Sequence, residues 1–273
     1  MIYKQIIKLF SRDAAFKLMM HSAEFLSKLT LTRYIIRLSH RPKESLRKEV
    51  MGISFNGPIG LGPGLDKKGE LYNVFTNYGF SFVDIGPMDA KNIRHAIDHI
   101  QEYPKDRDTT LSVCIEKDHT TVFSLAYDFM DMFIFDIPKN EIIPTMEQVL
   151  DIRMTYDANK PVLIHIGSDI MREELEKILD FCMLSGVDGV VVGTLENVQF
   201  VSEMTKKRLA IIGHGNIRTG ESAKEMLSAG ADLIVITTGL VMEGPAMVSK
   251  MLKYLESQSN VESASSSETL TSE

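Results

Sequence analysis

An α/β barrel of eight parallel strands behind a small helical subdomain is the fold this chain predicts, and three features predict it. Eight short apolar runs rich in β-branched residues alternate with helical stretches. They occupy residues 58 to 256, a length of 199 residues, which is near the lower size limit for eight strand-helix units. A basic, amphipathic leader precedes them. Near-continuous apolar strands imply a parallel sheet covered on its outer face, and eight such units imply closure into a (β/α)8 TIM-type barrel. An open doubly wound sheet is the alternative.

The elements follow in order. From residue 2 to about 39 the apolar positions recur near the helical period, through Ile2, Ile6, Ile7 and Phe10, then Leu18, Met19, Phe25 and Leu26, then Tyr34, Ile35, Ile36 and Leu38. Lys and Arg fill the surface between them, and Arg41-Pro42 ends the unit. Either a helical pair docked on the core or a foot on a membrane surface fits this pattern. Residues 50 to 57, VMGISFNG, alternate and close on Asn56-Gly57, a hairpin signal. The strand runs are 58–63, 81–86, 110–116, 132–137, 161–166, 188–193, 208–213 and 232–238. Segments 88–109 and 117–131 carry the poorest helix signals between them. The tail from 257 is Ser- and Glu-rich and predicts disorder. The expected division is therefore a helical foot over 1–49, a barrel over 50–256 and a disordered tail over 257–273.

Composition narrows the function. With 44% hydrophobic and 25% charged residues the chain can bury a substantial core. Cys114 and Cys182 are too few and too far apart for a disulfide framework or a CxxC zinc pattern, so a reducing cytoplasm is expected. No stretch approaches the ~20 apolar residues of a membrane span. Residues 1–50 hold 11 Lys/Arg against 4 Asp/Glu, net +7, whereas the rest holds 19 against 33, net −14. An acidic body argues against nucleic acid as its partner, and the leader suits anionic lipid.

In such a barrel the chemistry sits at the C-terminal ends of the strands. Gly213 and Gly215 end the seventh run, and Thr237, Thr238 and Gly239 end the eighth. Glycines admit backbone N–H groups to an anion and a following helix N-terminus favours it, so the two sets suit a phosphate; tight turns explain them equally well. At 60–70, GLGPGLDKKGE is no P-loop, but its glycines would let a planar ligand approach and Lys67 could stabilise negative charge on it. Lys67 as a solvated turn residue is the plain alternative.

These motifs, with GFSFVDIG at 79–86, IIGHGNI at 211–217 and SAGADLIVITTGLVMEGPAMV at 228–248, resemble the class 2 (quinone-linked) dihydroorotate dehydrogenases. The resemblance implies a barrel on a helical foot, peripheral on the cytoplasmic face of the inner membrane, that oxidises dihydroorotate with FMN and reduces quinone. It places Gly64 and Lys67 against flavin and substrate, and Gly213, Gly215, Thr237 and Thr238 around the FMN phosphate.

The departures lie at the substrate face. Where the family carries an Asn-x-Ser-Ser-Pro-Asn-Thr segment with the serine base, this chain reads Asp136-Ile137-Pro138-Lys139-Asn140-Glu141-Ile142. Cys114 stands for an asparagine, His165 for the flavin-contacting lysine, Gly193-Thr194 for Thr-Asn, Pro87 for a threonine and Asn216 for a glycine. The family's substrate loop and lid have no counterpart. A missing general base costs a hundredfold to ten-thousandfold. Three functions are then open. One is an active dihydroorotate:quinone oxidoreductase. The second is a non-catalytic homologue paired with a paralogous dehydrogenase or another copy of itself. The third is a different enzyme, in which Cys114, Asp136, His165 and His214 bind a metal or form a new acid-base set, although their spacing matches no metal motif.

Overall fold

The computed structural model describes residues 42–105, 109–244 and 246–270. The leader read as a foot over 1–49 therefore lies outside the described residues as far as residue 41.

The eight expected strands are present. They are β3 (Ile59–Leu61), β4 (Phe82–Met88), β5 (Thr110–Ile115), β6 (Met132–Asp136), β7 (Val162–Ile166), β8 (Gly189–Gly193), β9 (Ala210–His214) and β10 (Leu233–Ile236). All neighbours pair in parallel, and β10 returns to β3 with Ile234, Val235 and Ile236 opposite Ile59, Gly60 and Leu61. That pairing closes the barrel and excludes the open sheet.

A hairpin of β1 (Lys48–Val50) and β2 (Ile53–Phe55) precedes the barrel, with Val50 opposite Ile53. Its turn is Met51-Gly52, both at positive φ, and not the Asn56-Gly57 that the sequence favours. Turning at Asn56-Gly57 would pair β2 with residues 59–61, whose hydrogen bonds are committed to β10 and β4. The closed sheet overrides the local signal.

The crossovers differ in quality. Helix α1 (Tyr72–Phe75) is one turn long, whereas α2 (Asn92–Glu102), α3 (His119–Ala126), α4 (Ile142–Arg153), α5 (Arg172–Ser185), α6 (Leu195–Thr205) and α7 (Gly220–Ser228) are fuller. Both weakly signalled segments form helices. In α2, Ile93, Ala96 and Ile100 make a buried stripe among polar residues; in α3, Val122, Phe123 and Ala126 do the same. Short α8 (Thr238–Glu243) follows β10, and α9 (Ala246–Leu270) completes the chain.

Helix α9 runs past 257, where composition predicts a disordered tail. It is fixed by Met247, Val248, Met251, Leu252 and Leu255 in the core and by Glu256, which accepts from Lys43 N at 3.0 Å. Residues 246–270 contain neither Gly nor Pro, so nothing in that stretch breaks a helix already started.

Alternation along each strand divides the core in two. Outward side chains pack beneath the helices, and inward ones fill the barrel. The inner floor is Phe82, Met132, Leu163, Ile212 and Leu233, with Phe55 of the hairpin pushed in from below. Phe55 and Phe82 meet edge to face, 5.6 Å apart. Gly60 is what lets Phe82 cross the axis, since a Cβ there would stand 2.1 Å from its ring.

Candidate functional site in the barrel mouth

Above the floor the inward positions turn polar. Asp84 on β4, Cys114 on β5, Asp136 on β6, His165 on β7 and His214 on β9 line a chamber of about 160 Å³. Pro63, Ile134, Val191, Val235 and Thr237 complete its wall.

The outer groups form a chain. His165 Nδ1 lies 3.1 Å from Asp136 Oδ1, and His165 Nε2 lies 3.3 Å from His214 Nε2. Adjacent strands set the first contact, because the β6–β7 register puts Asp136 opposite His165. Accepting from His165 holds the Asp136 carboxyl below its ordinary range. Burial, with His165 alongside, pushes His214 down to about 4, so its ring is neutral at physiological pH. With His165 donating through Nδ1 to the carboxylate, the proton between the two Nε2 atoms belongs to His214 when both rings are neutral. Room for the His214 ring comes from Gly193, where a Cβ would stand 2.9 Å from it.

Asp84 is the residue the sequence reading passed over. It is 1% exposed; its Oδ1 accepts from Ser112 Oγ at 3.0 Å, and its Oδ2 has no partner among the described residues. Burial pushes its carboxyl up to about 8, so it keeps its proton at neutral pH. A signal was available: an isolated acid within the apolar run FVDI, two residues from inward Phe82, must itself point inward. Cys114 is buried and its thiol is pushed well up by desolvation, which makes it inert as a nucleophile. Among the described residues, no three His, Cys, Asp or Glu side chains are placed to hold one metal ion.

The residues singled out at the strand ends separate. Gly215 and Thr238 are exposed on the rim where β9 and β10 pair, with Thr237 between rim and chamber. Gly215 has φ +136°, and a Cβ there would find only Thr194 N, at 3.8 Å. Thr238 and Gly239 open α8, so their N–H groups have no intrahelical acceptor. Gly64, φ +101°, has open space where a Cβ would stand, and its N–H donates to Gly86 O at 2.8 Å. Gly213 is buried, and a Cβ there would stand 2.6 Å from Met226. Lys67 is exposed and outside the chamber lining. Its loop is fixed instead by buried Asp66, which accepts from Glu70 N and Leu71 N, both at 2.9 Å.

At the rim, exposed Gly215 and Thr238, the latter opening α8, suit the phosphate of a ligand such as FMN, and the open space over Gly64 suits its ring system. The chamber beneath does not fit three fused rings, since a cavity near 150 Å³ holds about one benzene-sized ring. A flavin ring system would therefore lie across the rim.

Known proteins agree with this architecture. The family model for dihydroorotate dehydrogenase matches residues 99–258. A dihydroorotate dehydrogenase (quinone) of Christiangramia forsetii is 25% identical over 280 residues, covering 74% of this chain and 82% of that one. One from Hamiltonella defensa is 24% identical, covering 86% and 95%. The ligand-free DHODH structure from Eimeria tenella superimposes with a TM-score of 0.73 at 17% identity, covering 85% of this chain and 92% of that one. A mandelate oxidase mutant carrying an FMN adduct shares the fold at a TM-score of 0.55 and 13% identity, covering 82% and 83%. With the closed barrel and a matched segment spanning more than half its length, the chain belongs to the dihydroorotate dehydrogenase family.

Proposed function

We propose that this family member does not oxidise dihydroorotate, retains an FMN-binding rim, and acts by pairing with a catalytic paralogue or a second copy of itself. The observation that carries this reading is the segment after β6. Lys139 Nζ donates to Asp169 O at 3.2 Å and to its Oδ2 at 3.3 Å, outside the chamber, and Ile137 is buried in the outer core. No side chain of 137–142 lines the chamber, so none stands ready there to take a proton. Nor does the lining hold a Lys or Arg to pair with the carboxylate that dihydroorotate carries. Pro87, at the end of β4, has no N–H to donate.

In this reading Gly215, Thr237 and Thr238 hold the phosphate and Gly64 gives the ring system room. Bound FMN would supply a two-electron acceptor. The chain's own residues bind and orient it without a dedicated base, which removes a hundredfold to ten-thousandfold in rate.

One feature favours a second reading, an active dihydroorotate:quinone oxidoreductase. His165, oriented by Asp136, has the form of a carboxylate-held base. The absorbance spectrum of the purified protein, mass spectrometry of what heat releases, and anaerobic addition of dihydroorotate separate the two. FMN that stays oxidised supports our proposal. Rapid bleaching, abolished in His165→Ala, would establish the oxidoreductase.

The N-terminal leader belongs to the same proposal as a contact with the membrane surface and with quinone. No helix among the described residues is long and apolar enough to cross a membrane. Deleting residues 1–40 should release the protein from anionic liposomes, and unchanged partitioning would remove the leader from the proposal.

A further inference from the structure

We propose that the chamber inside the barrel mouth binds a small uncharged ring compound bearing a hydrogen-bond acceptor, and that it rejects anions of the same shape. This inference rests on the chamber alone and does not require FMN at the rim.

Size sets the first limit. At about 160 Å³ the chamber takes roughly one six-membered ring. Pro63, Ile134, Val191 and Val235 give it apolar walls, which suit the faces and edges of such a ring.

Asp84 supplies the orientation. Its Oδ1 is occupied by Ser112, while Oδ2 is the one carboxylate oxygen among the buried side-chain atoms of the described residues that have no partner. A buried group left in that state costs free energy unless a ligand completes it. As a carboxylic acid it donates to a carbonyl oxygen, and it adds no charge to the chamber.

Charge sets the last limit. The lining contains an ionised carboxylate, Asp136, already engaged with His165, and no Lys or Arg to receive a second negative charge. An entering anion would lose its hydration beside a like charge. An uncharged ring has no such penalty.

Benzamide and benzoate are matched probes, equal in shape and different in charge. Binding of each to the full-length protein as purified is followed at pH 7 by ligand-detected NMR and by the imidazole resonances of His165 and His214. Benzamide should saturate and bind at least about tenfold more tightly than benzoate. Asp84→Leu should weaken benzamide about threefold to tenfold, and Asp136→Asn should narrow the gap between the probes. Val191→Phe, which fills the chamber while leaving every polar group of its lining in the sequence, should abolish binding and serves where Asp84→Leu does not fold. Equal binding of the two probes would overturn the proposal. So would failure of benzamide to saturate, or benzamide binding that survives Val191→Phe.

Discussion

At the N-terminal end of the barrel, Asp131, Asp188 and Asp232 each direct Oδ2 at the backbone N–H of a neighbouring strand. The acceptor distances are 2.8 Å to Leu111 N, 2.9 Å to Val162 N and 2.9 Å to Ile211 N. Cations complete two of them: Lys105 pairs with Asp131, and Arg153 Nη1 meets Asp188 Oδ2 at 2.6 Å while its Nη2 donates to Gly186 O. At the C-terminal end, Asp84 keeps one oxygen unpartnered, and the side chain of Asp136 meets the His165 imidazole and no backbone donor. The same residue type is held by backbone donors below and left incomplete above. Carboxylates that fasten strands need fixed donors, whereas a site needs a group whose hydrogen bond is still to be made.

Substitutions at the two ends should therefore differ in sign. Asp188→Ala removes the partner of a nearly buried Arg153 and the acceptor of Val162 N, and should cost about 3–5 kcal/mol in urea unfolding. A loss below about 1 kcal/mol would erase the contrast.

Asp84→Asn should instead stabilise the protein as pH rises. The folded carboxyl titrates near 8 and the unfolded one near 3.8, so between those values the unfolded chain binds fewer protons. Stability then falls with rising pH by up to about 1.4 kcal/mol per unit, and the amide removes that slope. Melting temperatures of both proteins from pH 5 to 7.5 should converge at the acid end. Parallel curves would mean that Asp84 is already ionised.

His214 sharpens the comparison within the mouth. Its ring should titrate near 4, well below an ordinary histidine, with an NMR midpoint that rises when Asp136 is left in place and His165 becomes Gln. A midpoint near 6.5 would remove His214 from the buried chain.

Lys67→Ala is the smallest effect, a melting temperature within about 2 °C of the parent, because the side chain is exposed and outside the chamber lining. A change in FMN content in that variant would bring Lys67 back to the site.

Much of this was readable along the chain, and the limits have physical causes. The eight strands were legible because buried parallel strands are continuous apolar runs, and the rim because glycines and threonines cluster at their ends. The hairpin turn was not, since Met51-Gly52 wins only through hydrogen bonds that residues 59–61 make with distant strands. Helix α9 was not, since composition records low hydrophobicity after 257 but not the anchored turn that precedes it. Nor could spacing show how closely Met226 packs on Gly213.

The sequence by itself determined the barrel, its family resemblance and the absence of serine and cysteine from residues 137–142, because each is written in local pattern and residue identity. Only the tertiary structure decided that Asp136, His165 and His214 form one chain and that Asp84 joins them in one chamber. Asp84 and His214 are 130 residues apart in the sequence. Closure of the sheet, which brings alternate residues of different strands to one axis, is what makes them neighbours.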